Sequence, residues 1–205
     1  KPIFGRGYIG NYYICGLIIL NNLFLMKKNI SPAKSGILLG VMFGVLMVLE
    51  FVIMYVIGMK SLANSSAGII VNIANYLIFP ITFIFIGCNN YKKNINNGFI
   101  SFSECLKTGV SITFVAAIIY ATFNVIFNFI FPEFVDEMIS ISKEAMISKN
   151  PEMTSEQIEM GLSMVKKFMN PLIVFPFTLA MFSFIGLIYS LIIGAILKTE
   201  KRQSY

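Results

Sequence analysis

The sequence predicts an all-α protein: a four-helix transmembrane bundle with an extracytoplasmic helical hairpin between its third and fourth spans. Three observations lead there. The 205 residues are 57% hydrophobic and only 13% charged, where a soluble domain averages about a quarter charged residues. Four apolar runs cover 36–58, 69–87, 109–131 and 172–197. At about 1.5 Å per residue they reach roughly 28 to 39 Å, against a hydrocarbon core of about 30 Å. The basic residues behind the net charge of +6 sit in short clusters beside the runs. That is a topological signal, not the basic stripe of a nucleic-acid binder.

Residues 26–205 form a single four-span domain, and 1–25 stand apart from it. Met26-Lys27-Lys28-Asn29 reads as a bacterial start, and the apolar stretch before it is broken by Asn11, Asn21 and Asn22. A non-native extension is the first reading of 1–25, an interfacial or fifth membrane helix the second. A cleaved signal comes last, because no small-residue cleavage site follows Leu25.

The first span carries Gly36, Gly40 and Gly44 at four-residue spacing, which lets another backbone approach closely so that van der Waals contact drives association in lipid. The fourth repeats the pattern with Gly186, Ser190 and Gly194, and the third with Gly109, Thr113, Ala117 and Ala121. All three stripes fall in the same half of the bilayer. Antiparallel packing of the first stripe on the fourth is expected, with a homo-oligomer through the same faces left open.

Polar groups gather in the other half. Counted from the outer ends, Glu50 lies about 12 Å deep, Asn75 about 9 Å, and Asn124 and Thr178 about 10 Å each. Asn72 and Asn128 sit one turn nearer the surface. Glu50 is the one ionisable residue well inside a span and has no Lys or Arg at its level. The cost of burying an unpaired carboxylate favours the neutral acid, hydrogen-bonded to Asn or Thr. One reading makes this cluster a proton or cation site; the other, weighted above it, makes it interhelical glue. Pro80 and Pro176 mark kinks in spans two and four.

Between spans two and three, Ser101 and Glu104 have capping-box spacing. Phe99, Phe102 and Leu106 share a face, which predicts a short helix in the headgroups. The 132–170 segment breaks at Asn150-Pro151 into two amphipathic arms. The first aligns Phe134, Met138, Ile141 and Ala145. The second opens at Thr154 with Gln157 as its capping partner and aligns Ile158, Leu162, Val165 and Met169. Their faces bury one another or lie on the membrane.

Lys27, Lys28 and Lys34 precede span one, Lys92, Lys93 and Lys107 lie in the 87–107 loop, and Lys198, Lys201 and Arg202 follow span four. The 132–170 segment holds seven acids against four bases. Positive-inside bias therefore places both termini of the domain in the cytoplasm and the hairpin outside.

The chain has no histidine, which removes imidazole bases, nucleophile–His pairs and most zinc, copper and haem sites. Cys15, Cys88 and Cys105 lack CxxC spacing and suggest neither a disulfide framework nor a metal knuckle. Six methionines of the hairpin (Met138, Met146, Met153, Met160, Met164, Met169) read as gap-fillers and contact residues ahead of copper(I) ligands. No catalytic residue, cofactor or metal is expected. Tryptophan is absent, so interfacial anchoring falls to Tyr8, Tyr12, Tyr55, Tyr91 and Tyr189.

Several of these segments together carry a family resemblance. They are the Gly-rich first span, the 98–109 entry GFISFSECLKTG, the Phe131-Pro132-Glu133-Phe134 exit, Met153-Thr154-Ser155-Glu156-Gln157-Ile158, and the closing GLIYSL at 186–191. From about Lys27 to Lys198 the chain resembles domain-of-unknown-function family 4199, small membrane proteins of Bacteroidota-type bacteria. The resemblance implies a four-span bundle in the bacterial inner membrane with no established activity, so no site residue carries over, and neither 1–25 nor Glu50 belongs to its pattern.

The function expected first is a non-enzymatic inner-membrane protein whose outer hairpin contacts a protein partner or the lipid surface. The alternative is a small transporter or channel component using Glu50. A membrane enzyme ranks third, since Glu133, Asp136 and Glu137 are spaced as a solvated helix start favoured by the helix dipole.

Overall fold

The computed structural model describes residues 30–63 and 65–199, and what it describes is helix with short connections. Residues 1–25, including Tyr8, Tyr12 and Cys15, lie outside the described residues. Among the described residues, four helices are long and apolar enough to cross a membrane.

Side-chain caps set the starts of spans one, three and four. The first, α1 (Pro32–Ile57), begins one turn before Gly36, because the Ser31 side chain accepts from Lys34 N–H and Pro32 fits the first helical position. It stops at Gly58, whose φ of 104° suits only glycine. A short helix, α2 (Met59–Ala63), follows. The second span is built of α3 (Ser66–Ile73), a π turn (Ala74–Ile78), α4 (Phe79–Asn90) and a second π turn (Tyr91–Ile95). It therefore continues past residue 87 and carries Lys92 and Lys93, expected in a loop, on its last turn, where the helix dipole favours cations.

The third span, α5 (Phe102–Ile130), opens with the Ser101–Glu104 capping box fully formed. No separate headgroup helix precedes it; Phe102 and Leu106 belong to the span's own first turns. Next come α6 (Glu133–Lys149) and α7 (Ser155–Phe168), the latter opened by the Thr154–Gln157 box. The fourth span is α8 (Pro171–Leu197), capped by the Asn170 side chain and continuous through Pro176.

The spans stand in the ring order first, second, fourth, third, and the third packs along its length against both the first and the fourth. This corrects the expected pairing of the first stripe with the fourth. A Cβ on Gly36 would stand 2.6 Å from the Thr108 carbonyl oxygen, and one on Gly40 2.7 Å from that of Ile112. Gly44 lies against Ala116 and Ile119. The contacts climb together, so spans one and three run parallel. A different face of α5 meets the fourth span in antiparallel register: Gly109 against Ser190, Thr113 against Gly186, Cys105 against Gly194. The third span is the hub because it offers two close-contact faces, and the neighbouring stripes each take one. Thr108 and Ser111 hydroxyls tie it further to α1, donating to the Pro32 and Ala33 carbonyls at 3.1 and 2.7 Å.

Buried apolar side chains fall into three groups along the bundle. Ile84, Cys88, Tyr91, Ile100, Cys105 and Ile193 lie at the lysine-bearing end. Phe43, Ile112 and Phe182 are among those in the middle. Phe51, Met59, Phe127, Phe134 and Ile141 form the third, at the end that carries α6. Thus α6 gives its apolar face to the ends of spans one and three, neither to α7 alone nor to a lipid surface. No residue of α7 is fully buried, and Met160, Met164 and Phe168 are more than half exposed. The Lys60–Glu144 ion pair (2.7 Å) that links α2 to α6 is exposed and adds little.

Candidate functional site

Helical spacing on the first span turns Met47, Glu50, Phe51 and Met54 toward the second. There Val71, Asn72, Asn75 and Tyr76 face them, and Tyr120 of the third span joins the lining. The nine side chains line a partly open cavity of about 120 Å³, with Asn72 and Tyr76 exposed at its edge. The Asn75 side chain is hydrogen-bonded to the Glu50 carboxyl. Even so, Glu50 Oε2 and Asn75 Oδ1 are both buried without a hydrogen-bond partner. Asn72 is turned back on its own helix, its amide donating to the Gly68 carbonyl at 2.9 Å.

The second span is locally irregular at this level. Its first π turn (Ala74–Ile78) contains Asn75 and Tyr76, and π turns inside α-helices concentrate at functional sites. Pro80 lacks the N–H that would serve the Tyr76 carbonyl. The Tyr189 hydroxyl of the fourth span donates to that oxygen instead, at 2.9 Å. Tyr189 is therefore an interhelical donor, not the interfacial anchor expected of it. Tyr91 is also reassigned: it is buried and donates to Glu104 Oε1 at 3.2 Å. Tyr55 packs its ring on Phe127, Phe131 and Phe134.

The four residues expected at one polar level are not all brought together. Glu50 and Asn75 share the cavity. Asn124 donates to the Tyr120 carbonyl one turn back (3.1 Å), so it meets the cavity only through that tyrosine. Thr178 is buried on the fourth span but does not line it. Asn128 Oδ1 is buried without a partner elsewhere. Tyr76 and Tyr120 escaped the sequence reading because tyrosine passes as an apolar residue inside a span. Their positions, beside Asn75 and one turn before Asn124, were the available signal.

Chemically, the cavity is lined by a carboxyl and a carboxamide, each with one buried oxygen that has no hydrogen-bond partner, and no Lys or Arg lines it. It suits a hydrogen-bond donor or a small hard cation, for which oxygen ligands are the natural match. Among the described residues no group of three or more His, Cys, Asp or Glu converges as a metal site. Glu133, Asp136 and Glu137 stand exposed on the first turns of α6.

A family model described as "Protein of unknown function (DUF4199)" matches residues 38–199. No curated protein matches the chain, and no solved structure does. The match takes in most of the first span and all of the other three, and the chain belongs to this family.

Proposed function

We propose that this member of the family is a non-enzymatic, multi-pass protein of a bacterial inner membrane that binds a small cation, the proton included, at the Glu50 cavity. One observation carries the reading: Glu50 and Asn75 line the same cavity, and beyond the bond between their side chains each keeps one buried oxygen, Oε2 and Oδ1, without a hydrogen-bond partner. Interhelical glue alone would not leave an oxygen of each partner unpaired. An unsatisfied buried acceptor costs about 1–3 kcal/mol, more when charged, and an entering cation or proton removes that cost. The π turn at Asn75 and Tyr76 adds support. The lysine clusters support a cytoplasmic position for both ends of the four-span domain, with the cavity in the opposite half. The exposed, unconverged acids of α6 favour a binding role over an enzymatic one.

The test is thermal unfolding of the purified full chain in detergent, titrated with Li⁺, Na⁺ or K⁺ at constant ionic strength and repeated from acid to alkaline pH. Wild type should gain stability in a saturable way from one cation or from protons; a hundredfold excess over Kd adds about 2.7 kcal/mol. Glu50→Gln should remain folded and lose that response. An identical response in the variant, or none in wild type across the whole series, would sink the proposal.

A second reading draws on α7, whose Met160, Met164 and Phe168 present an exposed apolar edge. A photocrosslinker at Met160 recovering one specific protein would support a partner there; recovery of lipid alone would count against it.

A further inference from the structure

The lysine-bearing end of the bundle holds a second pair of chemically reactive groups. Cys88 lies near the end of α4 and Cys105 in the first turns of α5, and both are wholly buried. Their Sγ atoms stand 2.6 Å apart, and the Cys88 sulfur also faces the Cys105 carbonyl at 3.6 Å. Bonded cysteine sulfurs lie about 2.05 Å apart, so the backbone already presents the two thiols to each other with almost no further approach required. Their surroundings are Ile84, Tyr91, Ile100 and Ile193.

Everything between the two cysteines converges on the same junction. Asn97 and Gly98, both at positive φ, turn the chain, and the Asn96 side chain and Tyr91 hydroxyl donate to Glu104. Ile100 exchanges backbone hydrogen bonds with Thr199 at 3.2 and 2.9 Å, and Lys92 Nζ donates to the Leu197 carbonyl at 3.0 Å. The connection is thus fastened by weak ties to the end of span four, with two opposed thiols beneath it.

We propose that Cys88 and Cys105 form a disulfide, a covalent modification that joins spans two and three and fixes the intervening connection against span four. A low-molecular-weight disulfide is the oxidant. The thiolate of one cysteine attacks it, breaking its S–S bond, forming a mixed disulfide and releasing one small thiol. The second cysteine then attacks the protein sulfur of that mixed disulfide, forming the Cys88–Cys105 bond and releasing the second small thiol. The two cysteine protons end on the released thiols, and one disulfide is exchanged for another. Because both sulfurs are buried, exchange requires local opening, and parting the Ile100–Thr199 contact would loosen one wall, since Ile100 packs in the same cluster. The same burial shields the finished bond from reductants, which matters on the cytoplasmic face assigned to this end above.

The experiment uses the full chain with Cys15→Ser in detergent, incubated with oxidised glutathione, then denatured and labelled with polyethylene glycol maleimide. Before oxidation two tags should attach. Afterwards none should, the intact mass falling by about 2 Da for the two hydrogens lost, and dithiothreitol should restore both. A Cys88→Ser variant should carry one tag on a protein without glutathione after reduction. Thr199→Pro, which removes the bridge N–H, should speed the reaction. Two tags persisting after oxidation in both the parent and the Thr199→Pro chain would overturn the proposal, since access would then not be the obstacle.

Discussion

The two halves of this bundle are closed by opposite means. Toward the lysine-bearing end, glycines let the third span meet its neighbours backbone to backbone: a Cβ on Gly36 or Gly40 would stand within 2.7 Å of a carbonyl oxygen. Toward the α6 end aromatic rings fill the space between spans one and three. Phe51 alone lies 5.0 to 6.4 Å, centroid to centroid, from Tyr120, Phe123, Phe127 and Phe134, each edge to face. Close-packed backbones leave no room for a ligand. Rings, being rigid, fill a wider gap but not perfectly, and the Glu50 cavity is bordered by two of them, Phe51 and Tyr120. The contrast places tight association and ligand space in different halves of the same four helices.

Three substitutions test that division, in falling order of effect. Gly40→Leu should be the most damaging, at about 3 kcal/mol, the upper end of the overpacking range, because the new side chain meets the Ile112 carbonyl oxygen and the Cβ of Val115, neither of which can swing aside. Reversible unfolding in mixed micelles would measure it; a loss smaller than that of Phe51→Ala would reverse the comparison. Phe51→Ala should cost about 2 kcal/mol by removing several edge-to-face contacts. It should also widen the cavity, so its cation response should change while that of Gly40→Leu, if recovered folded, should not. Tyr189→Phe should cost about 0.6–1 kcal/mol, the worth of one interhelical hydrogen bond in lipid. A neutral Tyr189→Phe would mean that the Tyr76 carbonyl finds another donor.

Much of the architecture is legible in the sequence because a bilayer restricts the choices. Runs long enough to cross it become spans, and Ser101–Glu104 and Thr154–Gln157 cap as their spacing requires. The partners of the small-residue stripes are not legible. Spacing tells that a face admits close approach, but Gly36, Gly40 and Gly44 carry no mark that names Thr108 and Ile112 over Gly186 and Ser190. The end of span two is missed for a related reason: Lys92 and Lys93 look like loop residues until a helix terminus is there to receive them. The Cys88–Cys105 contact is invisible at a separation of 17 residues across a span boundary, since no local pattern encodes it. At the site, Glu50 and Asn75 stand out as polar residues in apolar runs, whereas Tyr76 and Tyr120 do not.

The Tyr189–Tyr76 hydrogen bond also bears on how the protein is made. Its two ends are 113 residues apart, so at a synthesis rate of about 5–20 residues per second the carbonyl above Pro80 waits roughly 6 to 23 s for its donor. During that interval span two is an incomplete helix in an apolar medium, at the level where its π turn lies. Span four, the later of the two to emerge, completes span two, so a ribosome that stalls between them leaves a chain whose Tyr76 carbonyl lacks this donor.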